Sequence, residues 1–109
     1  MDLSNRIFEL VDNAEGLAAS ETRISFAGGR NPYRGTYQGP NIIYGQVMVS
    51  EVDGTCQMLY HALTASGELV AGTANASFSG HESLRMQLNW HWLTGDLSSG
   101  TSNWIEVNA

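Results

Sequence analysis

Hydrophobic and polar residues alternate without interruption along residues 84–92, Leu-Arg-Met-Gln-Leu-Asn-Trp-His-Trp. Because successive side chains of a β-strand point to opposite sides, this pattern predicts a strand with one apolar and one polar face. The apolar face carries Leu84, Met86, Leu88, Trp90 and Trp92, and the polar face carries Arg85, Gln87, Asn89 and His91. The function of the chain depends on whether that polar face meets water or lines a pocket.

The first segment of the chain has the periodicity of a helix and not of a strand. Its apolar residues follow one helical stripe: Leu3, Ile7, Leu10, Val11, Ala14, Leu17 and Ala18. Asp2 or Ser4 is the candidate cap at its start, and Gly16 is the candidate residue that ends or loosens it. The pattern predicts an amphipathic helix over residues 1–19, which must lie against another apolar surface to be stable.

From residue 20 to residue 109 the pattern is typical of short strands separated by turns. Strands are predicted near residues 21–27, 33–37, 41–50, 55–63, 68–78, 84–93 and 102–107. Asp53-Gly54, Ser66-Gly67 and Gly80-His81 are the hairpin turns. The spacings leave no room for crossover helices. The expected fold is mainly β, an antiparallel meander of six to seven strands forming a barrel or strongly curved sheet, with one N-terminal α-helix, and residues 1–109 form a single domain.

Two-residue turns at these hairpins give a trial register, and the register predicts a core face. Its members are Val47, Val49, Met58, Tyr60, Ala62, Leu84, Met86, Leu88, Trp90, Trp92, Ile105 and Val107. The opposite face carries the row Gln46, His61, Gly72, Asn89 and Glu106, bordered by Tyr44, Gln87, His91 and Trp104.

The second face has two interpretations. Polar groups around the small residues Gly72, Ala74 and Ala76 suggest the floor of a pocket for a small, partly apolar ligand. The alternative is an ordinary solvated face of an antiparallel sheet. Exposed leucine and methionine, together with a near absence of Lys and Glu, favour a face that is covered by barrel closure, a ligand or a second subunit.

His91, Glu106 and His61 are the candidate catalytic residues. In the trial register His91 and Glu106 are diagonal neighbours, so the carboxylate would orient the imidazole as a general base, with His61 acting from the opposite wall. Such a group would serve cofactor-free proton transfer of the isomerase or cyclase type. The alternative is that each histidine is simply a hydrogen-bonded polar residue. A metal site is not predicted, because on a flat sheet the two histidine Cα atoms would be more than about 10 Å apart.

The composition narrows the classes of partner. The chain has a net charge of −6, with five arginines and no lysine, so it lacks the positive surface that nucleic acid requires. Its one cysteine excludes an internal disulfide. We find neither an apolar run of membrane-spanning length nor the basic and apolar regions of a signal peptide, so we expect a cytoplasmic protein with no membrane partner.

The segment Asn89-Trp90-His91-Trp92-Leu93-Thr94-Gly95, followed by Asn103-Trp104, resembles the late strands of avidin-type biotin-binding barrels, which are calycin-like. Those barrels carry a Trp-Leu-Leu-Thr run and, a short loop later, another tryptophan. The resemblance implies a β-barrel and makes Trp92 and Trp104 walls of a ligand site.

Two hypotheses follow. In the first, the barrel or curved sheet binds a small ligand through Tyr44, Gln46, Gln87, Asn89, Trp92 and Trp104. The three catalytic candidates could add acid/base chemistry at this site. No cofactor or metal is expected. In the second, the chain is a non-catalytic interaction or regulatory protein, and the same sheet face or a sheet edge forms a homodimer or partner interface. Under both hypotheses we expect the chain to form a homo-oligomer.

Overall fold

The computed structural model describes residues 2–13 and 21–107, which contain eight β-strands. In chain order they are β1 Ile7–Asn13, β2 Arg23–Phe26, β3 Tyr33–Gln38, β4 Ile42–Val52, β5 Thr55–Thr64, β6 Leu69–Ser79, β7 Arg85–Trp92 and β8 Ser99–Val107. Each strand pairs antiparallel with the next, and β1 pairs antiparallel with β8, so the sheet closes into a barrel. The mainly β, antiparallel meander is confirmed, with eight strands instead of six to seven. Closure leaves no free edge among these strands, which removes edge pairing as a mode of partner binding.

The predicted N-terminal helix is wrong where the structure describes it. Residues 7–13 form strand β1, and no helix occurs in residues 2–13 or 21–107. Phe8, which is absent from the helical stripe, points inward and is completely buried, and Leu10, with the same strand parity, packs against the core beside it. Since β1 hydrogen-bonds to both β2 and β8, the long-range pairing that closes the barrel overrides the local helical spacing. Ala14, Gly16, Leu17 and Ala18 lie outside the described residues.

The described part of the chain contains no helix that is long and apolar enough to cross a membrane.

The core fills the inside of the barrel. Phe8 makes edge-to-face contacts with Phe26 and Phe78, with ring centroids 6.0 and 6.2 Å apart. Of the predicted core, Val47, Val49, Met58, Tyr60, Ala62, Met86, Leu88 and Trp90 are buried. Leu84 and Trp92 are half-buried against them. Ile105 and Val107 are only half-buried and do not belong to the core, because β8 is turned over relative to the trial register.

The connection between β5 and β6 explains the first error of register. The first hairpin is as predicted, with Gln46 opposite His61. In the second, the Thr64 amide donates to the Glu68 carbonyl, and Tyr60, not His61, lies opposite Gly72. A slip of one residue moves every side chain of a strand to the other face. Gly72, Ala74 and Ala76 therefore face the core and not a pocket on the polar side.

A second error of register lies between β6 and β7. The connection is residues 80–84 and not a two-residue turn at Gly80-His81, so Gly72 lies opposite Trp92 and not opposite Asn89. A third error lies between β7 and β8. Trp104 is opposite Met86, whereas the trial register placed it opposite His91. Trp104 consequently points into the barrel and is only 3% exposed.

The two ends of the barrel are built differently. The upper end carries the connections 39–41, 65–68 and 93–98. The lower end carries residues 2–6 and the connections 27–32, 53–54 and 80–84. Leu3 is completely buried at the lower end, and the Phe26 amide donates to the Arg6 carbonyl, so residues 2–6 are attached to the end of β2.

Candidate functional site

Besides Tyr33 and the three phenylalanines of the core, five aromatic side chains from four strands of the described chain point into the barrel. This interior aromatic cluster consists of Tyr37 on β3, Tyr60 on β5, Trp90 and Trp92 on β7, and Trp104 on β8. Tyr60 and Trp92 meet edge to face with ring centroids 5.1 Å apart, and Tyr37 and Trp104 do so at 6.5 Å. Four of the five are less than a tenth exposed, and Trp92, at the upper end of β7, is half-buried. The cluster therefore extends from the upper end into the barrel.

Two glycines make room for these rings. A Cβ atom added to Gly72 would lie 2.4 Å from the Tyr60 ring, and one added to Gly100 would lie 2.4 Å from the Trp90 indole. Such distances are far below van der Waals contact, so β6 and β8 pass directly beside the aromatic planes. The space that Gly72 provides is thus inside the barrel and is occupied by Tyr60.

Hydroxyl groups accompany the rings inside the barrel. The Trp104 Nε1 donates to the Ser102 Oγ over 2.8 Å, and Ser102 is 2% exposed. Thr22 and Thr64 are also buried. Every buried side-chain nitrogen or oxygen of the described residues has a hydrogen-bond partner. The interior thus combines aromatic faces with neutral polar groups.

The two tyrosines of the cluster are held in their neutral form. Burial raises the pKa of Tyr37 well above its usual value of 10.0, and the nearby Tyr60 raises it further. Burial alone raises the pKa of Tyr60. Besides the aromatic residues, the buried polar side chains of the described chain are Thr22, Thr64 and Ser102, none of which is charged. The cluster can therefore offer hydrogen bonds without charge.

Most of the predicted site residues lie on the outside of the barrel. These are Tyr44, Gln46, His61, Gln87, Asn89 and His91, all of which are exposed. They bond to their outward neighbours: Gln46 Nε2 donates to Tyr44 Oη over 2.7 Å, and His91 Nδ1 lies 2.6 Å from Ser99 Oγ. Of the predicted ligand-binding residues, only Trp92 and Trp104 point inward.

The structure does not bring His91 and Glu106 together. His91 is opposite Ser99 at the upper end of β8, whereas Glu106 is near its lower end and has the inward parity of Trp104. Its Oε1 accepts from Arg6 over 2.6 Å and from the Leu84 amide over 2.9 Å. His61 lies two strands from His91, opposite Gln46. The trial register was wrong on this diagonal pair, and the catalytic roles stay a prediction that no contact supports.

The described residues contain no group of three or more His, Cys, Asp or Glu side chains able to hold a metal ion.

Tyr37 was not among the predicted site residues, although a strand was predicted near residues 33–37, because the trial register began with the following strand and gave this one no inward face. The signal was available in the spacing of Tyr33, Gly35 and Tyr37, which alternates with polar Arg34 and Thr36. That alternation corresponds to β3, in which Tyr33 and Tyr37 are buried.

Comparison with known proteins agrees with the fold. No curated protein and no solved structure gives a significant match. The model of the family described as "Avidin-like protein" matches residues 1–107, nearly the whole chain. The resemblance read from residues 89–104 is therefore confirmed over the full barrel, and the chain belongs to the avidin-like protein family.

Proposed function

We propose that this barrel binds a small, uncharged, partly apolar ligand against the interior aromatic cluster. The observation that carries the proposal is the combination of two buried phenols and three indoles in an interior whose described residues include no buried charged side chain. An avidin-like fold is a fold for small-molecule binding, which supports the same conclusion.

The chemistry of the cluster indicates the class of ligand. Aromatic faces and edges favour a compact ring with apolar atoms. A phenol that stays neutral donates its hydrogen bond to a polarised oxygen, and a ring carbonyl is the simplest such acceptor. Trp92, half-buried at the upper end of β7, is the member of the cluster most accessible to a ligand. A heterocycle with a carbonyl group satisfies all three features, and the first probe is the methyl ester of biotin, which lacks the carboxylate charge of biotin itself.

These contacts support ligand binding without catalysis. Glu106, the one carboxylate of the catalytic candidates, is paired with Arg6 at the lower end, and both histidine candidates lie outside the barrel. A general base would have to reach the ligand to act on it. We therefore assign the ligand site to Tyr37, Tyr60, Trp92 and Trp104.

Calorimetric titration with biotin and with its uncharged methyl ester tests the proposal. Tyr37→Phe removes one interior hydroxyl and should weaken binding about fivefold, since a hydrogen bond to an uncharged group is worth about 1 kcal/mol. Trp92→Phe should weaken it by a similar or larger factor by reducing the aromatic wall.

Thr36→Val is the matched control, because it removes a hydroxyl from the neighbouring residue of β3, which has outward parity. It should leave the affinity unchanged. Failure of the wild-type protein to bind either compound would rule out this ligand class. Equal losses in Tyr37→Phe and Thr36→Val would rule out the interior site.

A further inference from the structure

The arginines of the chain are distributed unequally between the two ends of the barrel. All five belong to the described residues, and the chain has no lysine. Those at the lower end are Arg6, Arg30, Arg34 and Arg85. The fifth, Arg23, begins β2 at the upper end, where its Nη2 lies 3.1 Å from Glu9 Oε2. The arginine of the upper end is therefore already paired with a carboxylate.

Carboxylates, in contrast, occur at both ends of the described barrel. Those at the lower end are Asp2, Glu51, Asp53, Glu82 and Glu106, which nearly balance the arginines there. Besides Glu9, those at the upper end are Asp12, Glu21, Glu68 and Asp96, which are all exposed and which we call the acidic rim. Glu15 lies outside the described residues. The net charge of −6 thus arises mainly away from the lower end.

Glu68 and Asp96 lie on the two connections that flank the upper end of β6. The connection 93–98 is held beside β6 because the Ala71 amide donates to Thr94 Oγ1 over 3.2 Å. Asp96 Oδ1 accepts from the Ser98 amide over 3.0 Å, and this hydrogen bond lowers the pKa of the Asp96 carboxyl. Neither Glu68 nor Asp96 forms an ion pair with an arginine, so both keep an uncompensated negative charge at neutral pH.

The acidic rim lies above the interior aromatic cluster by about the length of a ligand side chain. Tyr60 is followed on β5 by Thr64, the last residue of that strand, after about 13 Å of strand, which is about 10 Å along the axis of an ordinarily tilted barrel. Trp92 ends β7 directly before the connection 93–98. A ring bound at the cluster would therefore place the end of a substituent about 10 Å long near Glu68 and Asp96.

Two features of the upper end act on the charge of such a substituent in the same direction. One exposed carboxylate at about 10 Å favours a cation by less than about twofold in water, but the effects of the acidic rim add. Their sum increases as salt is removed, since the Debye length grows from about 8 Å at physiological ionic strength to about 30 Å at 0.01 M. The half-buried indole of Trp92 also attracts a cation to its face, and it offers nothing comparable to an anion.

We infer that the upper end of the barrel selects ligands by the charge of the group that projects from it, favouring a cation and disfavouring a carboxylate. The inference rests on the proposed function, in which the uncharged ring of the ligand lies against the interior aromatic cluster. The ligand class is then a partly apolar ring that carries an ammonium or guanidinium group on a tail about 10 Å long. A carboxylate in the same place meets only like charges on the acidic rim.

Three amides of biotin that differ only in the charge at the end of the tail test the inference. They are the N-(2-aminoethyl), N-(2-hydroxyethyl) and N-carboxymethyl amides, which end in an ammonium, a hydroxyl and a carboxylate. Calorimetric titration is done at pH 8.0, where histidine is ordinarily neutral. At 0.02 M ionic strength the ammonium probe should bind at least about tenfold more tightly than the carboxylate probe, with the hydroxyl probe between them. At 0.5 M the ratio should fall to about twofold.

The double variant Glu68→Gln, Asp96→Asn removes two charges of the acidic rim and keeps the oxygen that accepts from the Ser98 amide. It should lower the ratio between the carboxylate and ammonium dissociation constants at 0.02 M at least about threefold. The matched control is Asp53→Asn, Glu82→Gln, which changes the net charge equally at the lower end, where both residues are exposed. Its ratio should equal that of the wild type.

The outcomes separate this inference from the proposed function. If none of the three amides binds, the proposed function fails for this ring and the inference fails with it. Equal binding of the three amides, or tightest binding of the carboxylate, would overturn the inference alone and leave the interior site in place. A ratio that falls equally in the two double variants, or in neither, would rule out the acidic rim as its cause. If circular dichroism shows that Glu68→Gln, Asp96→Asn is unfolded, Asp96→Asn is compared with Asp53→Asn.

Discussion

At the scale of single residues, the side of the barrel to which a side chain points decides its chemistry. Tyr37 and Tyr44 are both strand tyrosines, yet Tyr37 is 6% exposed inside the barrel and Tyr44 is 56% exposed outside it. Burial raises the pKa of Tyr37, because an ionised phenolate loses its hydration there. The same residue type thus gives a neutral, buried phenol inside the barrel and an exposed side chain outside it.

The two interior tyrosines predict how stability depends on pH. Their pKa values are higher in the folded chain than the ordinary value of 10.0, so the folded state holds protons that the unfolded state releases. Their contribution is complete below about pH 10 and decreases as the pH rises further. Each group reduces the free energy of unfolding by up to about 1.4 kcal/mol per pH unit. Urea unfolding from pH 8 to pH 11.5 measures how the free energy of unfolding depends on pH.

Tyr37→Phe and Tyr60→Phe should each make the alkaline loss of stability shallower. Tyr44→Phe, on the exposed tyrosine, should leave the slope as it is in the wild type. A steep alkaline loss that survives in the double variant Tyr37→Phe, Tyr60→Phe would contradict the assignment.

At the scale of elements, the length of each connection decides which face a strand presents. The alternation of apolar and polar residues within β6 and β7 is evident from the sequence. Which of the two sets faces the core, however, depends on the number of residues in the turn before each strand. The connection after Thr64 is longer than the predicted two-residue turn, and this places Gly72 opposite Tyr60. Ala74 and Ala76 follow it into the core. An error of one residue therefore turned a core strand into an apparent pocket floor.

The contact between β5 and β6 predicts that Gly72→Ala destabilises the barrel. The new methyl group would collide with the Tyr60 ring, and overpacking of a filled core costs about 1–3 kcal/mol. Thermal or urea unfolding measures the change. In a Tyr60→Leu background the collision is relieved, so the same substitution should cost much less. Equal costs in the two backgrounds would show that Gly72 is needed for some other reason.

At the scale of the whole molecule, closure of the barrel gives each end its role. Residues 2–6 lie at the lower end and are joined to β8 by the Arg6–Glu106 pair, with the Glu106 side chain only 12% exposed. Glu106 also holds the Leu84 amide, so one carboxylate connects three segments of the chain. The interior aromatic cluster reaches the opposite, upper end. Glu106 is accordingly a structural residue in this geometry.

Glu106→Gln should therefore reduce stability without affecting the ligand site. Loss of a hydrogen bond to a charged partner costs about 1–3 kcal/mol when the pair is largely shielded from water. Glu9→Gln removes the exposed ion pair with Arg23 and should cost less than about 1 kcal/mol. Urea unfolding compares the two. A larger loss of stability in Glu9→Gln than in Glu106→Gln, or weakened binding of biotin in Glu106→Gln, would contradict the assignment of Glu106 as a structural residue.

The sequence by itself determined the strands from β2 to β8, their antiparallel order and most of the core. Alternation of side chains is a local property, so Leu88 and Trp90 are assigned to the core without knowledge of distant residues. The family signal in residues 89–104 is local for the same reason. Tertiary structure alone decided that residues 7–13 form a strand, because β1 is stabilised by pairing with β2 and β8. It also decided that Trp104 points inward and His91 outward, since parity across a connection depends on its folded length. The polar face of residues 84–92 is therefore the outer wall of the barrel, and the apolar face borders its interior.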